Sequence, residues 1–381
     1  MPSVYLDNAS TSFPKPACVP EAVYRYMTAC GSNVSRGGYQ AAYSAEELVF
    51  ETRERVCALF HGEDTRCVVF TPNITTSLNM LLKGFLHPGD HVLVSSMEHN
   101  AVMRPLRQLE AIGVSFSRIP CRTDGTLVLD AMEGLVRENT KLVLCLHASN
   151  VCGTLLPIDA IGAFCRHRGL RFFLDSAQTA GVFPIDMQQS HIDAVAFTGH
   201  KSLMGPQGTG GLCVAEGVDI RPWCVGGTGV QTFLPSQPPQ YPTRLEAGTR
   251  NGHGIAGLLA AVHFIQEAGM DAIRTHELAL ARRFYEGVKD VDGVCVYGDF
   301  SDFVRAPVVS LNIRDAGSSM VADALAEDYD IAVRAGAHCA PRMHEALGTV
   351  EQGAVRFSFG YYNTEEETDA AIAAVRELAE Q

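Results

Sequence analysis

The chain has 381 residues, of which 46% are hydrophobic and 19% charged, and its formal net charge is -13. Its length exceeds one typical core and predicts two domains, or one large α/β domain with a smaller appendage. The acidic balance excludes phosphate-backbone binding as the main activity, because nucleic-acid binding depends on clustered Lys and Arg.

The sequence also limits the compartment and the metal chemistry that we expect. The N-terminus lacks the charged and apolar regions of a secretory signal, and the apolar run 255–265 is short for a membrane span and contains His263. We therefore predict a cytoplasmic protein that binds neither membrane nor nucleic acid. The 12 cysteines lie mostly in apolar segments, which favours reduced core thiols. No Cys-x-x-Cys pair occurs, so we expect no metal site.

In chain order, an extended arm comes first, because prolines at positions 14 and 16 prevent a continuous helix. A helix is predicted over 18–29. Ser44 and Glu47 have the spacing of a capping box that would start a second helix, reaching about residue 60. Short β-branched runs then alternate with amphipathic helical segments. The predicted strands are 67–70, 91–94, 114–119, 142–146, 171–174, 194–197 and 211–214, and the helices between them include 75–85, 101–112 and 158–168.

This alternation indicates a mostly parallel sheet covered by helices, in which ligands bind beyond the carboxyl ends of the strands. A Gly- and Pro-rich loop, 226–242, ends the pattern and is followed by an apolar helix at 254–268. Strands at 294–297, 308–313 and 355–359 then predict a small α+β domain. We place the large domain at 16–255, and assign 1–15 and 256–381 to the N-terminal arm and the small domain.

Polar residues follow the apolar strands at each predicted exit. Thr75 and Thr76 open a helix after the first strand, where free backbone amides favour an anion, although a Thr hydroxyl serving as an ordinary helix cap is the alternative. Other exits carry Glu98-His99, Ser149-Asn150 and Asp175-Ser176-Ala177-Gln178. Such groups are costly in a partly desolvated crevice unless a ligand satisfies them.

Two of these exits indicate a cofactor. Lys201 follows the strand at 194–197 and precedes a glycine-rich loop, which is compatible with a phosphate contact, a Schiff-base amine or a surface-turn lysine. Asp175 ends a strongly apolar strand and can be the counter-ion of a protonated ring nitrogen, as an acidic residue is for the pyridinium of pyridoxal phosphate. With a phosphate site at Thr75 and Thr76 and the ring of His99, these residues match pyridoxal 5'-phosphate.

Cys339 and Arg356 are further candidates in the last third of the chain. Eleven of the 12 cysteines have a plausible core interpretation. Cys339 instead follows Arg334 and His338, which would favour its thiolate. An inert loop cysteine is the alternative, since neighbours in sequence need not be neighbours in space. For Arg356 the alternative is a solvated arginine at a strand end.

These segments resemble the class V, fold type I pyridoxal-phosphate enzymes, and within them the cysteine desulfurases and selenocysteine lyases of the group II branch. The matching segments occur in order over nearly the whole chain and are 6–10, 75–76, 98–99, 149–151, 175–178, 198–201, 246–249, 334–339 and 356–364. The resemblance implies an α/β fold type I transferase, with a mostly parallel seven-stranded sheet sandwiched by helices and a small α+β C-terminal domain that carries the nucleophile loop.

The resemblance also implies a role for each matching residue. Lys201 would form the Schiff base with the cofactor, Asp175 would hold the pyridinium, His99 would stack on the ring and shuttle protons, and Gln178 would contact the phenolic oxygen. The phosphate would be bound by Thr75, Thr76, Thr198 and His200, with Thr249 reaching in from the second subunit of a homodimer. Asn150 and Arg356 would orient the substrate, and Cys339 would be the nucleophile.

Three positions depart from the group II pattern. Tyr39, on the substrate side, and Ala337 stand where relatives often carry histidine, which could alter proton handling. Thr198 replaces the commoner serine but keeps the hydroxyl that a phosphate contact needs.

The resemblance implies a cysteine desulfurase that converts L-cysteine to L-alanine, forms a persulfide on Cys339 and passes the sulfur to an acceptor protein or small thiol. One alternative is a selenocysteine lyase acting on L-selenocysteine. Others are another class V enzyme, such as an epimerase, a kynureninase-like hydrolase or an aminotransferase, and a non-catalytic sulfur-relay subunit.

Overall fold

A computed structural model describes residues 3–32, 34 and 39–381 of the chain. Its α-helices are α1 (Cys18–Arg25), α2 (Gln40–Leu59), α3 (Ile74–Phe85), α4 (Asn100–Leu109), α5 (Ala131–Leu135), α6 (Ile158–Arg168), α7 (Gly252–Ala268), α8 (Met270–Val288), α9 (Ser318–Tyr329), α10 (Pro341–Leu347) and α11 (Glu365–Glu380). Its strands are β1 (Val4–Tyr5), β2 (Val68–Thr71), β3 (His91–Ser95), β4 (Ser115–Ile119), β5 (Thr140–Leu146), β6 (Arg171–Asp175), β7 (Ala194–Thr198), β8 (Gly210–Val214), β9 (Val294–Tyr297), β10 (Val308–Ile313), β11 (Ile331–Ala332), β12 (Arg334–Gly336) and β13 (Ala354–Ser358).

The large sheet has seven strands in the order β2-β8-β7-β6-β5-β3-β4. Only the pairs that involve β8 are antiparallel. Apolar side chains of α3 and α4 pack on one face of the sheet, and those of α2, α6 and α7 pack on the other. Burial on both faces explains why the strands are almost continuously apolar. The predicted fold class is therefore confirmed.

A second, antiparallel sheet has the order β12-β13-β10-β9. It packs against α8, α9 and α11 in a core of its own. The N-terminal arm joins this region, because β1 pairs in parallel with β11 and Asp7 forms a bridge with Ser358. The domain boundary at residue 255 stays a prediction, and α7 runs across it.

Some local predictions were wrong. Helix α2 begins at Gln40, with the extended Tyr39 as its N-cap, so Ser44 lies inside the helix and starts nothing. All 12 cysteines are free thiols, but Cys224 and Cys295 are exposed, which contradicts their core interpretation. Among the residues that the structure describes, no helix is both long and apolar enough to cross a membrane.

Gly211 in β8 provides a test of the sheet packing. A Cβ atom there would lie 2.4 Å from the Val69 carbonyl oxygen and 2.5 Å from the Phe197 ring. We expect Gly211→Ala to lower the free energy of unfolding by roughly 1–3 kcal/mol, because overpacking forces neighbouring atoms to move. Urea titration followed by circular dichroism measures the change.

Gly134→Ala is the matched control, because a Cβ atom at this position in α5 meets nothing within 4 Å. It should leave stability unchanged or raise it by up to about 1 kcal/mol, since alanine favours helix over glycine. If Gly211→Ala unfolded at the parent midpoint, the packing of β8 described above would be wrong.

Candidate active site

The predicted site residues of the large sheet lie at the carboxyl ends of its strands. Because β8 is antiparallel to both β2 and β7, strand β2 runs in the same direction as the parallel strands. The carboxyl ends of these strands therefore open on one side, where ligands bind in such sheets. The residues at these ends are Thr75 and Thr76 after β2, His99 after β3, Asn150 after β5, Asp175 and Gln178 at β6, and Thr198, His200 and Lys201 at β7.

Asp175 ends β6 and is only 5% exposed. The backbone N–H of Ala177 donates to its Oδ1 at 2.9 Å. Burial raises the pKa of the Asp175 carboxyl, while the Ala177 N–H and the charge of Lys201 act in the opposite direction. No described side chain forms an ion pair with this carboxyl. A carboxylate in this position is stabilised by a cationic partner.

Lys201 lies close enough to Asp175 for their charges to interact, and it is partly buried. Burial lowers the pKa of its amine to about 8, although Asp175 acts to raise it. Within the described residues the amine makes no hydrogen bond or ion pair. An amine with this pKa is partly neutral near pH 7 and can attack a carbonyl carbon, which is inconsistent with a surface-turn lysine.

His99 and His200 both face Lys201 as neutral rings. Burial and the charge of Lys201 lower the pKa of each to about 4. Nδ1 of His99 accepts the Ala101 backbone N–H at 3.0 Å, so the proton of its neutral ring is on Nε2. Nδ1 of His200 is buried without a hydrogen-bond partner in the described residues.

The predicted phosphate residues are only partly brought together. Thr76 and Thr249 of the same chain line one cavity of about 350 Å³, whereas the contact predicted for Thr249 comes from a second subunit and stays a prediction. The side chain of Asn73 caps α3 by accepting the Thr76 N–H at 2.9 Å, so the predicted alternative of a threonine cap is wrong. Thr75 is exposed. The Thr198 hydroxyl is 3.4 Å from the Thr209 carbonyl oxygen that it faces.

Gln178 lies inside the site, whereas the place of Tyr39 in it stays a prediction. Gln178 is buried, donates from Nε2 to the Ala9 carbonyl at 3.2 Å, and lines a small cavity of about 30 Å³ together with Lys201. Tyr39 is exposed at the start of α2. Among the described residues, its side chain makes no hydrogen bond, ion pair or ring contact with the other predicted site residues.

Arg356 on β13 is buried, so it is not a solvated strand-end arginine. Its Nη1 donates to the Asn150 carbonyl at 3.1 Å, and its Nη2 donates to Asp7 at 2.8 Å and to Ser10 at 2.7 Å. Arg356 Nε and Asn150 Oδ1 are both buried and lack hydrogen-bond partners among the described residues. An open donor on one residue and an open acceptor on its hydrogen-bonded neighbour fit a polar ligand.

Sequence reasoning had given no role to Asp7 and Ser10. Both belong to a segment of the family resemblance, but their partner Arg356 lies at the far end of the chain. The pairing of β1 with β11 is what brings the arm to the site. The signals available in the sequence were this matching segment and the polar residues that it contains within the predicted extended arm.

Cys339 is exposed and lies between β12 and α10. Its carbonyl accepts the backbone N–H of Asn100 at 2.8 Å, so its loop is joined to the first residue of α4, next to His99. The predicted help from His338 is wrong in its mechanism. Burial lowers the pKa of His338 to about 3, and this neutral ring supplies no positive charge to a thiolate.

These residues fit pyridoxal phosphate. The Asp175 carboxylate suits a ring cation, the Lys201 amine suits an aldehyde, and the unpartnered Nδ1 of His200 suits an acceptor or donor on the ligand. None of these three groups has a full set of charge or hydrogen-bond partners among the described residues, and the cofactor has a chemical group that would pair with each.

Comparisons with known proteins give one consistent family. The family described as Aminotransferase class-V matches residues 4–371. A probable cysteine desulfurase of Halobacterium salinarum is 36% identical, over 98% of this chain and 91% of its own length. A cysteine desulfurase IscS of Vibrio campbellii is 35% identical, over 98% of this chain and 92% of its own length.

Solved structures agree. The apo structure of a cysteine desulfurase from Thermococcus onnurineus NA1 matches with a TM-score of 0.92 and 32% identity, covering 99% of this chain and 94% of that chain. The cysteine desulfurase CsdA from Escherichia coli, in an S-sulfonic acid form, matches with a TM-score of 0.89 and 29% identity over the same shares.

The electrostatics of Lys201 can be tested in cofactor-free protein. We expect labelling of its amine by an amine-reactive reagent to rise with pH around a midpoint of about 8. In Asp175→Asn this midpoint should fall, because the carboxylate that raises the pKa is gone. Peptide mass spectrometry across a pH series measures both midpoints.

Asp193→Asn is the control, since Asp193 pairs with Arg171 near the opposite edge of the sheet and should leave Lys201 unchanged. A parent midpoint at the ordinary lysine value of about 10.4 would contradict this account.

Proposed function

The chain belongs to the aminotransferase class-V family, and from this we propose that it is a pyridoxal-phosphate-dependent cysteine desulfurase. The family implies dependence on this cofactor. L-Cysteine would be converted to L-alanine, and its sulfur atom would be taken up by Cys339. The observation that chiefly supports the proposal is the backbone hydrogen bond that joins the exposed Cys339 to Asn100, beside His99.

The cofactor, when bound, supplies an electron sink for the carbanion that forms at the substrate Cα. Lys201 would hold it covalently, Asp175 would pair with its ring nitrogen, His99 would cover one ring face and Gln178 would contact the phenolic oxygen. The phosphate would be bound by Thr75, Thr76, Thr198 and His200 of one chain and Thr249 of a second copy. A homodimer is supported by exposed apolar residues, which include Trp223 in the wall of the cavity that Thr249 lines and the fully exposed Phe233 ten residues further along the chain.

Arg356 and Asn150 would bind the amino-acid end of the substrate. The open Nε of Arg356 can donate to the substrate carboxylate, and a charge-assisted bond of this kind is stronger than one between neutral groups. The bond from Nη2 to Asp7 keeps the guanidinium oriented before substrate arrives. Asn150 would align the same end of the substrate through its open Oδ1.

The chain moves the protons and receives the sulfur. With a pKa of about 8, the Lys201 amine can accept the Cα proton and return it to carbon. The neutral His99 can donate a hydrogen bond from Nε2 without giving up its proton. The Cys339 thiolate then attacks the substrate sulfur, so that an S–S bond forms as the substrate C–S bond breaks. The substrate thiol proton ends on carbon, alanine leaves, and the Cys339 persulfide passes its outer sulfur to a thiol of an acceptor protein or small molecule.

Removal of the nucleophile tests this proposal. We expect Cys339→Ala to lower alanine formation from L-cysteine by roughly 100-fold or more, because the nucleophile that would take up the substrate sulfur is removed. The absorbance of the bound cofactor should be unchanged, which shows that the site is intact. The same assay with L-selenocysteine distinguishes a desulfurase from a selenocysteine lyase.

Cys295→Ala is the matched control. Cys295 is also exposed but lies on β9, outside the site, and its variant should keep the parent rate. Alanine and sulfide released by Cys339→Ala at the parent rate would exclude the proposed mechanism.

A further inference from the structure

The loop that carries Cys339 has an unusual backbone. His338 and Cys339 both have positive φ angles, 51° and 56°. Two consecutive non-glycine residues in the left-handed region are unfavourable, because the Cβ atom approaches the following carbonyl oxygen. The surrounding structure must therefore hold them in place.

The buried ring of His338 is the main side-chain anchor of this loop. Its Nε2 lies 3.2 Å from the Arg334 carbonyl oxygen, and its Nδ1 lies 3.4 Å from Nε2 of His344 on α10. The other nitrogen of His344, Nδ1, lies 2.7 Å from the hydroxyl of the buried Thr349. We call these three residues, His338, His344 and Thr349, the histidine chain.

The Arg334 carbonyl oxygen, which contacts one end of the histidine chain, determines the direction of every hydrogen bond in it. A carbonyl oxygen only accepts, so His338 Nε2 carries the proton and donates to Arg334. In the neutral ring Nδ1 must then accept, and His344 donates to it from Nε2. His344 Nδ1 is therefore an acceptor, and the Thr349 hydroxyl donates to it. One arrangement satisfies all four ring nitrogens, provided that both rings stay neutral.

The surroundings keep both rings neutral. Burial and the charge of Arg356 lower the pKa of His338 to about 3, and burial lowers the pKa of His344. Protonation of either ring would turn an acceptor into a donor and break one of these bonds.

The backbone carbonyls of His338 and Cys339 are both hydrogen-bonded to residues of the proposed site. Asn150 Nδ2 donates to the His338 carbonyl at 2.8 Å. The Asn100 N–H donates to the Cys339 carbonyl at 2.8 Å. These two bonds hold the backbone on both sides of the Cys339 Cα atom, from which the thiol side chain projects.

We propose that the histidine chain is a positioning device, which holds the Cys339 loop in its left-handed conformation so that the thiol meets the substrate sulfur. This inference rests on the proposed function. His338, His344 and Thr349 are positioning residues, because they act through the Cys339 backbone. A displacement of about 1 Å at a reacting atom can cost on the order of 100-fold in rate.

Variants of Thr349 and His344 in the holoenzyme test the proposal. We expect single-turnover alanine formation from L-cysteine to fall roughly 3- to 10-fold in Thr349→Val and about 10- to 100-fold in His344→Leu. Thr349→Ser keeps the donor hydroxyl and should stay within about twofold of the parent. The KM for L-cysteine should change less than about twofold, because Asn150 and Arg356 still contact the substrate.

Hydrogen exchange gives a readout that does not depend on activity. The amide of Asn100 donates to Cys339, so its exchange should speed up in His344→Leu and Thr349→Val and stay at the parent rate in Thr349→Ser. Glu345→Gln is the matched control, since Glu345 is next to His344 but pairs with Arg342 at the surface. It should match the parent in rate and exchange.

The outcomes separate this inference from the proposed function. Parent rates in Thr349→Val and His344→Leu, or a Thr349→Ser rate as low as that of Thr349→Val, would overturn the role of the histidine chain. Cys339→Ala, measured in parallel, reports on the proposed function itself. If it alone loses activity, the desulfurase proposal stands and the positioning role falls.

Discussion

The rest of the site depends on one constraint, the burial of the Asp175 carboxylate and the Lys201 amine beside the carboxyl ends of neighbouring strands. Asp175 ends β6 and Lys201 follows the neighbouring β7. Desolvation raises the pKa of Asp175 and lowers that of Lys201, and each shift favours the neutral form of the group. Neither finds an ion-pair partner among the described residues. The chain holds both groups in an unfavourable state that pyridoxal phosphate would relieve, and that free energy becomes available for binding the cofactor.

The chemistry needs a second layer of residues that the large sheet does not supply. Arg356 comes from the small antiparallel sheet, and Asp7 and Ser10 come from the arm that pairs with β11. Cys339 lies between β12 and α10 and reaches the large sheet through Asn100. The proposed substrate and sulfur side of the site therefore combines residues of both sheets and of the arm, and it depends on contacts between distant parts of the chain.

Local sequence patterns predicted the strands and the polar residues that follow them, including Asp175, Lys201 and His99. Such predictions were possible because the alternation of strands and helices and the polarity of strand ends are local properties. The roles of Asp7 and His344 were not predictable in that way. The Asp7–Arg356 contact joins residues 349 positions apart. The prediction of a positive charge on His338 was wrong because burial, which the local sequence does not show, keeps that ring neutral.

The prediction of a capping box at Ser44 was wrong because the helix had already begun at Gln40. Exposed Tyr39 stays a prediction without a structural contact to support it.

The proposed role of Cys339 is tested most directly by identifying the residue that takes up the sulfur atom of L-cysteine. The holoenzyme is given L-cysteine without an acceptor, and peptide mass spectrometry then searches all 12 cysteines for the mass of one added sulfur atom. We expect this mass on the peptide containing Cys339 and not on those containing the other exposed cysteines, Cys224 and Cys295. Sulfur on either of those two peptides, or alanine formed with no added sulfur on any peptide, would contradict the proposed role of Cys339.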